Sequence, residues 1–127
     1  MISKQQTLND DTIINYQKLN SKHTANSKKV QTELREKFPK ESDIIVNQNK
    51  LKGANYIKGR LMPSRSFGDL GLKHDFFNKL EYRQDHMNTS KHYPLKDFSG
   101  PYITHRPEID VFKLQENSLG LLLATDG

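Results

Sequence analysis

The sequence predicts an α+β fold in which antiparallel strands carry helices on their outside. Three observations lead there: short β-rich or apolar stretches follow one another, one segment has the four-residue apolar repeat of a helix, and Gly-rich turns separate the pieces. The chain has 127 residues of which 33% are hydrophobic, and its mean hydropathy is -0.86. That is little apolar material for a core of this length, so a loop-rich or incomplete domain is expected.

Residues 1–11 are polar, end on Asp10 and Asp11, and are expected to form a disordered lead. They have neither an apolar signal core nor the Arg-rich, acid-poor character of a transit peptide. Residues 12–19 are β-rich and predict a strand. A helix is predicted over 27–38. Asn26 is placed to cap it, Val30, Leu34 and Phe38 form one apolar stripe, Glu33 precedes Lys37 by four, and Pro39 ends it. The stripe is narrow, so the helix is read as a flank packed on something else.

Residues 43–46 are a short apolar stretch that periodicity alone leaves unassigned. Beyond Lys52, four glycines (Gly53, Gly59, Gly68 and Gly71) bracket a candidate strand at 60–62 and a tight turn at 66–69. Residues 74–100 read as a long irregular insertion with a short helix around 76–82. Two strands are predicted to follow, 108–114 and 119–125. The second contains Leu119 and Leu121 to Ala124 and reads as buried on both faces, because a half-exposed strand would alternate with polar residues. The candidate domain therefore covers 12–127.

A formal net charge of +5 raises the question of an acidic partner. The lysines are scattered and no basic run forms a nucleic-acid patch, so no nucleic-acid partner is expected. There is no cysteine, which excludes disulfides and thiolate metal sites. No segment approaches the roughly 18 apolar residues of a membrane span, so no membrane partner is expected.

Several pieces in order carry a family resemblance. They are Gly59-Arg-Leu-Met-Pro-Ser-Arg-Ser-Phe-Gly-Asp69, Leu72-Lys73, Pro101-Tyr-Ile-Thr104, Pro107-Glu-Ile109 and Leu122-Leu-Ala-Thr-Asp-Gly127. The set resembles the PPM (PP2C-like) metal-dependent protein serine/threonine phosphatases. Upstream pieces, Leu19-Asn-Ser-Lys-His23 and residues 46–53, look most like the pyruvate dehydrogenase phosphatase branch, which also carries a long insertion before its "PY-hydrophobic-T" stretch. The likeness runs from about Leu19 to Gly127.

The resemblance implies a sandwich of two antiparallel sheets with helices on both outer faces, here partial. It also implies two Mg2+ or Mn2+ ions, whose bound hydroxide attacks phosphoserine or phosphothreonine in a protein substrate. Hard divalent ions take oxygen ligands, and a metal pair both activates water and neutralises phosphoryl charge. Asp126 aligns with a metal-ligating aspartate. By itself Asp126-Gly127 reads as a turn, and the ordered blocks before it favour the ligand. Arg65 and Asp69 are expected to be structural, the guanidinium gripping the carboxylate across a turn at Gly68.

His23 falls on a family "D-H" position whose aspartate is here Lys22, and a cation cannot ligate a cation. Arg106 stands where relatives often have an acid. Ser64 and Ser66 have no identifiable base, and His74, His86, His92 and His105 sit at no metal-ligand spacing and are read as solvated. The family's phosphate-binding arginine, early D-G-H and proposed general-acid histidine find no counterpart before Leu19, and a late aspartate lies beyond Gly127 in relatives. The chain is therefore expected to be a central fragment that is inactive alone. The alternative is a non-catalytic PPM-like scaffold or phosphoprotein-binding module, which Lys22 favours. Branch resemblance implies a mitochondrial location; without it the chain reads as cytoplasmic.

Overall fold

The structure is a computed structural model that describes residues 2–6, 12–49, 53–79 and 94–124. It divides into two units, Lys22–Pro107 and the paired segments Met1–Ser21 and Glu108–Gly127. The α+β class holds: among the described residues two small antiparallel sheets accompany one α-helix and two 3-10 turns.

In the unit Lys22–Pro107, helix α1 spans Lys28–Lys37. Val30, Leu34 and Phe38 are all buried, as their spacing predicts. The start is built differently from the expectation. Ser27 is the N-cap and makes no side-chain cap, while the Asn26 side chain is drawn away to accept from the Asn55 backbone N–H at 2.8 Å. Glu33 does not pair with Lys37, whose ammonium donates to the Pro101 carbonyl at 3.2 Å.

Strand β3 (Ile45–Asn49) pairs with β4 (Ala54–Ile57), with Ile45 opposite Ile57 and a bulge at Gln48. The predicted strand at 60–62 is instead the far arm of a tight turn. Lys58 and Gly59 both have positive φ, 50° and 66°, and the Arg60 N–H bonds the Ile57 carbonyl at 3.0 Å, as two left-handed central residues allow.

The core of this unit consists of Ala25, Val30, Leu34, Phe38, Ile44, Ile57, Leu72, Tyr102 and Ile103. Phe38 and Phe98 each pack on Tyr102 with ring centroids 5.0 Å apart. Of the region read as an insertion, Asp75–Asn78 is a 3-10 turn, and residues 80–93, with His86 and His92, lie outside the described residues. Buried Asn78 ties its two ends together, donating to the Gly71 carbonyl at 2.8 Å and accepting from the Leu95 N–H at 3.1 Å.

The other unit holds a three-stranded sheet in the order β2-β1-β5, with β1 at Ile2–Gln6, β2 at Thr12–Tyr16 and β5 at Ser118–Gly120. Ile2–Gln6 thus pairs as a strand where composition suggested a disordered lead, because β2 and β5 satisfy its backbone on both sides. Two other expectations are corrected here. Residues 108–114 form no strand, and the strand predicted at 119–125 is ordered as β5 only to Gly120. Leu121, Leu122 and Leu123 are 60%, 74% and 85% exposed. A strand buried on both faces needs neighbours on both edges and covers over both faces, and none of the described strands pairs with residues 121–124.

Candidate functional site

The block 59–69, which carries most of the family signature, is woven between two other segments. The Ala25 N–H bonds the Met62 carbonyl at 2.7 Å and the Ser64 N–H bonds the His23 carbonyl at 2.9 Å. On its other side Ser66 and Thr104 exchange with their neighbours: Ser66 N–H to Thr104 carbonyl at 3.0 Å, Thr104 N–H to Ser64 carbonyl at 3.2 Å. Three stretches distant in sequence are therefore laced by backbone bonds without forming a regular sheet, which is why side-chain periodicity does not report them.

Arg65 and Asp69 do not grip one another. The Arg65 Nη1 donates to the Arg106 carbonyl at 2.7 Å, and the left-handed turn falls on Asp69, φ 54°, not on Gly68. Asp69 then accepts from the Leu72 N–H and opens the 3-10 turn Leu70–Leu72. The group that holds the loop is Lys73. It is buried, and its ammonium donates to the carbonyls of Ser66 and, at 3.0 Å, Phe67. Sequence reading named Lys73 only as part of a motif; nothing in local spacing says that it folds back on its own loop.

A second polar centre lies at Lys58, whose side chain is 5% exposed. Its ammonium contacts Glu41 Oε2 at 2.7 Å and Asp43 Oδ1 at 2.6 Å, and lies 5.2 Å from the centre of the Tyr102 ring. Glu41 also accepts from the hydroxyls of Ser99 and Tyr102. Burial alone would raise the Glu41 carboxyl, but the hydrogen bonds from Lys58, Ser99 and Tyr102 and the lysine charge outweigh it and hold it low. Burial likewise works against the Lys58 ammonium, and bonding to Asp43 and Glu41 raises it in net. The Lys58 ammonium and both Glu41 oxygens are matched within the centre, which reads as structural.

Asp126 lies outside the described residues. Among the described residues no group of three or more His, Asp or Glu side chains is placed to hold a metal, so these residues do not by themselves fit a binuclear centre. His23 stands beside the block, its carbonyl bound to Ser64. Ser66 donates its hydroxyl to the Gly68 carbonyl at 3.4 Å, which assigns it no nucleophilic role.

The order of the motif blocks resembles that of one class, the protein phosphatases. Residues 7–127 match the family Protein phosphatase 2C, and the chain belongs to that family. It is 35% identical over 113 residues to the probable protein phosphatase 2C 34 of Oryza sativa subsp. indica, covering 87% of this chain and 27% of the relative. It is 31% identical over 116 residues to the pyruvate dehydrogenase (acetyl-transferring) phosphatase 1, mitochondrial, of Bos taurus, covering 86% and 20%. A third relative, the probable protein phosphatase 2C 38 of Arabidopsis thaliana, is 30% identical over 115 residues, covering 91% and 28%. The chain thus spans between 20% and 28% of the length of these relatives. No solved structure matches it. No helix among the described residues is long and apolar enough to cross a membrane.

Proposed function

We propose that the protein acts as a metal-dependent protein serine/threonine phosphatase of the PPM type, and that Asp126 is a metal ligand in it. The observation that supports this reading is the family match over 7–127, which takes in both the 59–69 block and the Asp126-Gly127 ending. In this reading residues 12–127 belong to one phosphatase domain with an insertion at about 74–100, the complete fold is a helix-flanked two-sheet sandwich, and Mg2+ or Mn2+ is the cofactor. The substrate is a phosphoserine or phosphothreonine protein, and likeness to the mitochondrial bovine relative supports a mitochondrial phosphoenzyme. No catalytic step is assigned to the described residues.

The test is release of phosphate from a phosphothreonine peptide by the protein expressed from its full reading frame. Activity should require Mn2+ or Mg2+ and should vanish in Asp126→Asn, while the 127 residues alone should show no turnover. Hydrolysis undiminished by EDTA, or by Asp126→Asn, would refute the assignment. A cooperatively folded protein without any Mn2+-dependent hydrolysis would leave the non-catalytic scaffold that Lys22 favours.

A further inference from the structure

Within the unit Lys22–Pro107, helix α1, the 64–74 loop and the segment 101–106 line a half-open cavity of about 530 Å³. Its charge is one-sided. Lys37, Arg65, Lys73 and Arg106 line it, against the single carboxylate of Glu33. Three imidazoles, His23, His74 and His105, stand in the same wall.

Lys73 is the sharpest feature. It is 6% exposed, and its ammonium is held by two carbonyls, with no carboxylate of a described residue within ion-pair distance. A lysine has three donors, and a buried cation without a counter-charge is costly. The other cations also keep donors in reserve. Among the described residues Arg65 donates through Nη1 alone, to the Arg106 carbonyl, and Lys37 donates to the Pro101 carbonyl, its ammonium also lying 5.1 Å from the Phe38 ring centre. The Arg106 side chain is exposed and donates to no described residue.

The apolar part of the wall comes from Val30, Leu34, Tyr102 and Ile103, with the hydroxyl residues Ser64 and Thr104 beside it. A bare inorganic anion would not use that surface, and the volume falls in the roughly 300–1,000 Å³ range of small-ligand pockets. We propose that this cavity binds a phosphate monoester, its dianion met by Lys37, Arg65, Lys73 and Arg106 and its organic part seated on Val30, Leu34 and Ile103. The ester is either a free small molecule or a phosphorylated side chain of a protein. The site is separate from the catalytic reading above, because it requires neither a metal nor Asp126.

The test titrates the 127-residue chain, in EDTA, with a phosphothreonine peptide and with free phosphothreonine, followed by calorimetry and amide shifts. Saturable binding is expected, with shifts at Leu34, Ile103 and Thr104. Arg106→Gln and Lys37→Gln, both surface substitutions, should each weaken it about tenfold, the worth of one charge-assisted bond. Lys28→Gln, an exposed lysine of the same helix outside the cavity, should leave it unchanged. Tighter binding of the peptide would identify a phosphoprotein as the ligand, and equal binding a small ester. No saturable binding of either probe would overturn the proposal. So would equal weakening by Lys28→Gln, or equal affinity for a DNA oligonucleotide of matched charge, since both mark unspecific attraction. Failure of the phosphatase assay leaves this result untouched.

Discussion

The two units of the chain bury opposite amounts of their apolar side chains. In Lys22–Pro107 the core residues come from short stretches spread between Ala25 and Ile103, and the nine buried apolar side chains form one cluster. In the other unit none of residues 14–21 and 108–124 is buried, although Ile109, Val111, Leu114 and Leu121 to Leu123 are apolar. Burial follows pairing and enclosure, not local hydrophobic density. A run of leucines has no core to join until strands lie on both of its edges, whereas isolated apolar residues gain one as soon as the chain folds back over them.

Substitutions can break that contrast or sharpen it. The largest effect is expected at Ile57, which is fully buried: Ile57→Ala should cost about 2–5 kcal/mol in urea denaturation. Leu122→Ala, at 74% exposure, should stay within about 0.5 kcal/mol, and an equal loss at both sites would erase the distinction. Next comes Lys58→Ala, which strands the Glu41 carboxylate in a largely closed site and should cost about 3 kcal/mol. Gly100→Ala should cost about 1–3 kcal/mol by overpacking, since a Cβ there would lie 2.4 Å from the Phe98 ring.

The smallest effect is the dependence on pH. Glu41 is depressed in the folded state, so its contribution is complete above the ordinary 4.5 and fades as the pH falls through its lowered folded value. Lys58 is raised, so its contribution is complete below 10.5 and fades as the pH climbs through its raised folded value. Urea midpoints should be level between those limits and decline outside them. Glu41→Gln should flatten the acid decline.

How much of this was legible beforehand differs by the kind of signal. Helix α1 was, because Val30, Leu34 and Phe38 keep a period that any partner surface would read. Its cap was not: whether Asn26 caps or bonds Asn55 depends on a strand 29 residues away. Strand β4 was missed because Ala-Asn-Tyr-Ile shows no clear alternation, and its pairing with β3 supplies the order. The motif block announced the family, but not that Lys73, rather than an Arg65–Asp69 pair, clasps it. The cavity could not be read at all, since its cations come from segments that only the fold brings together, and Asp126 lies outside the described residues.

Glu41 closes loops of very different length with one carboxylate. It reaches Lys58 across 17 positions, Ser99 across 58 and Tyr102 across 61. The first closure is local and can form early, while the other two must wait until most of the chain has come together. The hub therefore acts as a latch set last. Loosening it should hasten unfolding more than it slows folding.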